Sequence, residues 1–383
     1  MTIGAAQIAF AAGEASGDML AGLVLPQLRQ RLPAAHCAGI GGDRMIESGF
    51  DAWWHVRELS VRGYAEVLRH LPRLLRLRAG FIERAARWPA RVFVGVDAPD
   101  FNLGVAARLR ARGIGTVQYV APAVWAWRPE RLRTIGSAVD CVLLLFPFEA
   151  PIFAAAGVKH HYVGHPLASS IPLVPDAVAA RQRLGLAEQA PTVAVLPGSR
   201  PAEVEALGPP FAGAMAEMLR ADAHLQIALP AADETLRARL SALLDAAGLD
   251  RSRVLLTLGR SHDALEAADA VLVAGGTATL EALLYKRPMA IAYRVPRLTE
   301  WLTRRKALIP YLGLPNALCG RFAVPEFVQE AVSAPAMARA VLRYLDRPQE
   351  AEDLRAEFTE HHLALRRDTP ALVADAVAEA AGA

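Results

Sequence analysis

The residues of this chain best placed for chemistry are an arginine beside a glycine turn and carboxylates at the ends of apolar runs. In Val193 to Val204 (VAVLPGSRPAEV), four apolar residues lead into Pro197-Gly198-Ser199, and Arg200 and Glu203 open a helical pattern. The pattern predicts a buried strand, a tight turn and a helix start, whose backbone N–H groups and macrodipole favour an anion. Arg200 adds a planar fork of donors suited to phosphate oxygens. The same residues also fit an ordinary strand-to-helix turn with a surface arginine. Val271 to Glu281 (VLVAGGTATLE) repeats the logic: a strand ends at Gly275-Gly276, Thr277 offers an N-cap hydroxyl, and Glu281 lies one turn inside the helix. Its carboxylate is placed to accept hydrogen bonds from sugar hydroxyls.

Arg91 to Asn102 (RVFVGVDAPDFN) is an apolar strand ending at Asp97, with Pro99 expected to block immediate helix entry. Ligands of open parallel sheets sit beyond the carboxyl ends of strands, so Asp97 stands where chemistry would be done. Asp97 or Asp100 also fits a cap for the following helix. Residues 8–12 predict a first strand, followed by the loop Gly13 to Asp18 (GEASGD) and a helix through Leu28, with Ser16 or Asp18 as candidate cap. Trp125 and Trp127 of Val124 to Trp127 (VWAW) fit either the lining of an apolar cleft or core.

Positioning these residues takes two βα arrays. Strands are expected near 37–41, 116–120 and 141–145, then a linker over 168–176, then strands near 193–196, 225–229, 254–256, 271–274 and 289–293. At 383 residues, two α/β domains are the default expectation. Composition, 53% hydrophobic and 21% charged, describes a folded chain, and no apolar run reaches the roughly 18–20 residues that span a bilayer. Cys37, Cys141 and Cys319 are far apart and fit no zinc spacing, which argues for a reducing compartment without disulfides or a structural metal.

Charge is uneven: residues 1–170 hold 19 Lys+Arg against 13 Asp+Glu, and residues 171–383 hold 23 against 26. The basic half points to an anionic partner, a phosphorylated ligand or a membrane surface, and no motif points to nucleic acid. Between Glu66 and Trp88, Arg69, Arg73, Arg76, Arg84 and Arg87 share one helical face, and Leu68, Leu71, Leu75 and Ile82 the opposite one. Pro72 is expected to start a new helix within it. Basic and amphipathic, with Phe and Trp, the segment suits an interfacial membrane anchor, or a surface helix packing its leucines on the sheet. Arg297, Trp301, Arg304, Arg305 and Lys306 form a second basic-aromatic patch.

In order and spacing, GEASGD, VDAPDF, VWAW, LPGSR with Glu203, and GTATLE resemble the lipid A disaccharide synthases, a family of bacterial glycosyltransferases. The resemblance runs from about residue 6 to about residue 370. It implies a GT-B fold, two Rossmann-like doubly wound domains facing across a cleft. Their expected extents are residues 1–168 for the acceptor, 169–345 for the UDP-sugar, and 346–383 as C-terminal helices. It implies inverting, metal-independent transfer of 2,3-diacylglucosamine from UDP-2,3-diacylglucosamine to 2,3-diacylglucosamine 1-phosphate, giving a β-1,6-linked disaccharide, with no cofactor. The expected location is cytoplasmic, peripheral to an anionic inner-membrane surface.

Carried over by motif, Asp97 is the expected base for the acceptor 6-hydroxyl. Gly198, Ser199, Arg200, Gly276 and Thr277 hold the diphosphate, and Glu281 the ribose. Glu14, Ser16 and Asp18 line the acceptor side, and Asn316 of Leu314-Pro315-Asn316 contacts the nucleotide. Arg69, Arg73 and Arg76 meet the membrane. The chain departs from the family's pattern at Ala121, Ala123 and Gly275, where serines are usual and hydroxyl donors are lost. The nearest rival enzyme class is a UDP-N-acetylglucosamine 2-epimerase or another GT-B transferase on a lipid-linked sugar. A non-catalytic nucleotide-sugar sensor is the rival of another kind.

Overall fold

A computed structural model describes residues 6–59, 64–126, 128–295 and 308–382, without the side chains of 64–70. Trp127, Leu68, Arg69 and the patch at 297–306 therefore lie outside the described residues and side chains.

The first sheet is built from β1 (Gln7–Ala12), β2 (His36–Gly41), β3 (Asp51–His55), β4 (Val92–Val96), β5 (Gly115–Tyr119), β6 (Cys141–Leu144) and β7 (His160–Tyr162). Its strands are parallel and run β3-β2-β1-β4-β5-β6-β7. Helices cover both faces, which is why β1 and β4 read as nearly unbroken apolar runs. Phe10, Val94 and Val377 belong to the core on one side, and Ile40, Phe81 and Phe93 to the core on the other.

The second sheet holds β8 (Thr192–Leu196), β9 (Gln226–Ala231), β10 (Val254–Leu258), β11 (Ala270–Ala274), β12 (Met289–Tyr293) and β13 (Glu326–Val328). It too is parallel, ordered β10-β9-β8-β11-β12-β13. In each sheet the strand order reverses once, between β1 and β4 and between β8 and β11. Connections leave in opposite directions there, which opens a crevice beyond the strand ends.

The chain divides into two compact units: the part up to Pro166 together with Leu365 onward, and Leu167–Ala364. The return of the C-terminus has a visible basis. The Thr369–Ala380 helix lies on the Ala15–Arg31 helix, where Arg31 pairs with Asp375. Thr369 donates to the Val163 carbonyl at 2.9 Å, and Lys159 meets Glu379 at 2.9 Å.

Two prolines depart from expectation. Pro99 does not block a helix but opens one, Pro99–Arg110, because a first helical residue needs no N–H and favours the ring's fixed φ. Pro72 starts no new helix: Tyr64–Arg87 runs through it, losing one hydrogen bond and keeping its packing. β3 has no strong apolar signal, since it is an edge strand whose residues are half-buried or exposed.

Candidate functional site

At the β8/β11 switch point the turn after β8 is held by geometry that only glycine tolerates. Gly198 has φ +127°, and a Cβ there would come within 2.5 Å of Glu203 Cβ. Arg200 caps the Pro201–Ala221 helix. Its amide was expected to be open to an anion, and the structure corrects this. Glu203 Oε2 accepts from the Ser199 N–H at 3.0 Å and the Arg200 N–H at 3.2 Å. The reason is local: a glutamate at the third helical position reaches back to the orphan amides. The Arg200 guanidinium is 60% exposed and meets Glu203 only at 3.4 Å, so it is nearly unrestrained.

The turn after β11 is the opposite case. Gly276, with φ +144°, is the N-cap of the Thr277–Leu284 helix, and no side chain caps it. Thr277 was expected to cap but is the first helical residue, and Thr279 Oγ1 instead donates to the Gly276 carbonyl at 2.8 Å. Gly275 is also constrained, because a Cβ there would lie 2.4 Å from the Tyr293 ring. The serine usual at this position would collide with that ring.

Gly198, Ser199, Arg200, Gly276, Thr277 and Glu281 come together around one cavity of about 360 Å³. Pro230 and Ala231 of β9, with Gly259 and Ser261 beyond β10, complete its wall. The sequence expectations do not include these; their only signal is a glycine after the third apolar run of the unit. Burial pushes the Glu281 carboxyl above its ordinary range, partly offset by His262. His262 Nε2 lies 3.8 Å from Glu281 Oε1, and its Nδ1 lies 3.2 Å from the Tyr285 hydroxyl. His262 was also missed, since nothing in its spacing marks it.

Asn316 does not join them, correcting its assignment to the nucleotide. It is fully buried, donating to the Val324 carbonyl at 2.9 Å and Glu326 at 2.8 Å and accepting from the Val324 N–H at 2.9 Å. Its hydrogen-bonding groups tie the turn before β13.

At the β1/β4 switch point the backbone is strained. Asp97 and Ala98 both have positive φ, +54° and +39°, a conformation costly for residues with a Cβ. The Asp97 carbonyl is held by amides of Asn102 at 2.8 Å and Gln118 at 3.0 Å. The helix cap is Ala98, with no side-chain cap, so neither Asp97 nor Asp100 is used that way. Asp100 instead pairs with Arg131 at 2.6 Å. Burial raises the Asp97 carboxyl above its ordinary range, and nearby Glu14 adds to the rise, against a lowering hydrogen bond from Ala98. Gly13 lets the two loops touch, since its Cβ would sit 2.0 Å from that of Ala98.

Glu14 and Ser16 are exposed beside this turn. Asp18 is not: it is buried, and its carboxylate accepts from Gly42 at 2.7 Å, Arg44 at 3.0 Å and Met45 at 3.1 Å. It caps the start of the Asp43–Glu47 helix, which ties both its oxygens to backbone amides.

The basic helix also differs from its reading. Its buried face is Leu77, Phe81, Ile82 and Ala85. Trp88 packs edge-on to Trp53 at 5.1 Å, and Arg84 stacks over Trp53 at 4.7 Å. The aromatic residues and Ile82 are therefore core, and Arg84 is engaged by stacking. Leu71 and Leu75 stay exposed, with Arg73 and Arg76 beside them. Arg73 donates to the Glu58 carbonyl at 2.7 Å. A cavity of about 300 Å³ joins Leu71, Leu74 and Leu75 to Glu14, Asp100 and Phe101 at the same switch point. Trp125, the described tryptophan of its pair, is half-buried against Phe148 at 5.0 Å. No helix among the described residues is long and apolar enough to cross a membrane.

Comparison with known proteins bears on this geometry. Residues 8–377 match a family model described as lipid-A-disaccharide synthetase. A lipid-A-disaccharide synthase of Paraburkholderia xenovorans is 47% identical over 374 residues, 97% of this chain and 95% of that one. Among solved structures, Anabaena Alr3699/HepE in complex with UDP and glucose aligns over 97% of this chain and 98% of its own, with TM-score 0.55 and 14% identity. Acinetobacter baumannii MurG aligns over 98% and 99%, with TM-score 0.59 and 12% identity. At those identities the structures show the shared fold, two Rossmann-like domains of the GT-B type.

Proposed function

The chain belongs to the lipid-A-disaccharide synthetase family, and we propose that its two sheet switch points divide that family's reaction between them. The enzyme is a glycosyltransferase that moves 2,3-diacylglucosamine from UDP-2,3-diacylglucosamine to 2,3-diacylglucosamine 1-phosphate, releasing UDP. The epimerase and sensor alternatives are not favoured, because the family match spans nearly the whole chain.

The second unit takes the nucleotide. The uncapped amides at Gly276 and Thr277 and the loosely held Arg200 guanidinium meet the diphosphate, with Gly198 and Ser199 forming the opposite rim. Glu281 accepts from the ribose hydroxyls. The first unit takes the acceptor: Asp97 removes the proton of its 6-hydroxyl as that oxygen attacks the anomeric carbon. The bond to the diphosphate breaks with inversion, and its electron pair leaves with UDP, stabilised by Arg200 and the helix amides. Glu14 and Ser16 border the acceptor, and Leu71, Leu74 and Leu75 offer its acyl chains an apolar wall.

The observation that carries this reading is Asp97: a carboxyl held in a strained turn, with its proton affinity raised by burial and by Glu14. A base poised upward from the ordinary carboxylate range is better matched to neutral pH. The experiment is a UDP-release assay with acylated and unacylated sugars on wild type and Asp97→Asn, with UDP binding measured in parallel. Release that ignores acylation, or full activity in Asp97→Asn, overturns it.

For substrates that carry acyl chains, we propose peripheral, cytoplasmic contact with an anionic membrane surface. Exposed Leu71 and Leu75 beside exposed Arg73 and Arg76 support it, with Arg69 included from sequence alone. Salt-sensitive co-sedimentation with anionic vesicles should weaken when Arg69, Arg73 and Arg76 are all changed to Glu. Unchanged sedimentation at low salt would end that reading.

A further inference from the structure

Away from both switch points, three metal-ligating side chains from two elements converge. Cys319 ends the short Leu314–Cys319 helix, while Glu357 and His361 lie on the Pro348–Leu365 helix. One donor atom from each lies within 4.8 Å of the others, and Cys319 Sγ is 3.5 Å from His361 Nε2. Residues four apart share a helix face, so carboxylate and imidazole stand side by side opposite the sulfur. We propose that Cys319, Glu357 and His361 form a divalent-cation site of the zinc class.

The distances suit such an ion. Tetrahedral zinc, with bonds of about 2.3 Å to sulfur and about 2.0 Å to nitrogen, would hold those two atoms about 3.5 Å apart. A set of thiolate, imidazole and carboxylate selects zinc or cobalt over magnesium or calcium. Glu357 Oε2 accepts from Arg321 at 2.6 Å, which leaves Oε1 for the ion and makes the guanidinium an orienting outer partner. A cavity of about 580 Å³ lined by Arg321, Tyr344, Leu354 and Glu357 borders the cluster on its Glu357 side. On binding, the thiol proton passes to solvent and no redox change occurs. None of the three residues lines the nucleotide cavity, so the ion would fasten two helices of the second unit without entering transfer chemistry.

A thiol–imidazole hydrogen bond has similar spacing, and cobalt separates the two readings. Titrating the full-length protein with Co(II) should produce a thiolate-to-cobalt charge-transfer band that saturates at one equivalent. Cys37 and Cys141 are buried in strands, so the band reports Cys319. It should vanish in Cys319→Ser, weaken in His361→Gln, and be displaced by Zn(II). Zn(II) should also raise the Tm of wild type and not of Cys319→Ser. Absence of the band in wild type, or its persistence in Cys319→Ser, overturns the site.

Discussion

The two switch points share a topology and differ in the backbone conformation and the polar groups of their turns. After β4 the chain takes positive φ at Asp97 and Ala98, residues that resist it, and burial, with Glu14 nearby, raises the proton affinity of the Asp97 carboxyl. After β11 the chain takes positive φ at Gly276, where it is free of strain, and opens uncapped helix amides. One turn is organised around a titrating group and the other around fixed dipoles. A parallel sheet supplies the crevice, and the loop residues decide whether its turn presents a carboxyl or open helix amides.

The largest test of that contrast is Asp97→Asn. Transfer should fall by about 10²–10⁴ while UDP affinity stays at the wild-type value, read by UDP release and calorimetry. Near-normal turnover would move the base to Glu14 or Asp100. Next in size is Arg200→Ala, expected to weaken UDP binding by about 1.5–3 kcal/mol, roughly 10- to 150-fold. Arg200→Lys should recover only part of it, since a point charge lacks the paired geometry. Equal affinities in all three proteins would reduce Arg200 to a surface residue.

Gly275→Ser probes whether the departure at that position belongs to this chain's packing. The Tyr293 ring must move, so a loss of about 1–3 kcal/mol is expected, seen as a lower Tm and eased by a second change, Tyr293→Ala. Full stability of the single variant would mean the ring relocates freely. The smallest effect is in pH dependence. Glu281 is the stronger acceptor, and free of a competing O–H, when ionised, and its folded value is raised, so UDP affinity should start to fall on acidification above the ordinary carboxylate range. Glu281→Gln should flatten that limb of the binding profile. The acid limb of kcat/KM should then remain, because it belongs to Asp97. Loss of both limbs together would show the two turns titrating as one.

Much of the candidate site was legible because its signals are local. Runs such as residues 193–196 and Ala270–Ala274 are apolar along their whole length when a sheet is covered on both faces, and a glycine one or two residues beyond them marks the turn. What stayed hidden were partners. Glu203 sits at a spacing that fits both a phosphate loop and a capping glutamate, and only coordinates show its oxygen on the Ser199 and Arg200 amides.

From the sequence alone followed two βα arrays, the glycine turns, Asp97 at a strand end and Arg200 at a helix start beside Gly198. Each depends on residues within about a dozen positions of one another, where periodicity and backbone preference carry the information. Tertiary structure decided which polar groups face a cavity and which serve the fold. Asp18 is taken by amides 24 to 27 residues away, and Asn316 by the turn before β13. It also decided that the last helix packs on the first sheet's unit, and that Cys319 meets His361 across 42 residues. Buried polar groups must find partners wherever the fold brings them, and composition or spacing holds no record of partners that distant.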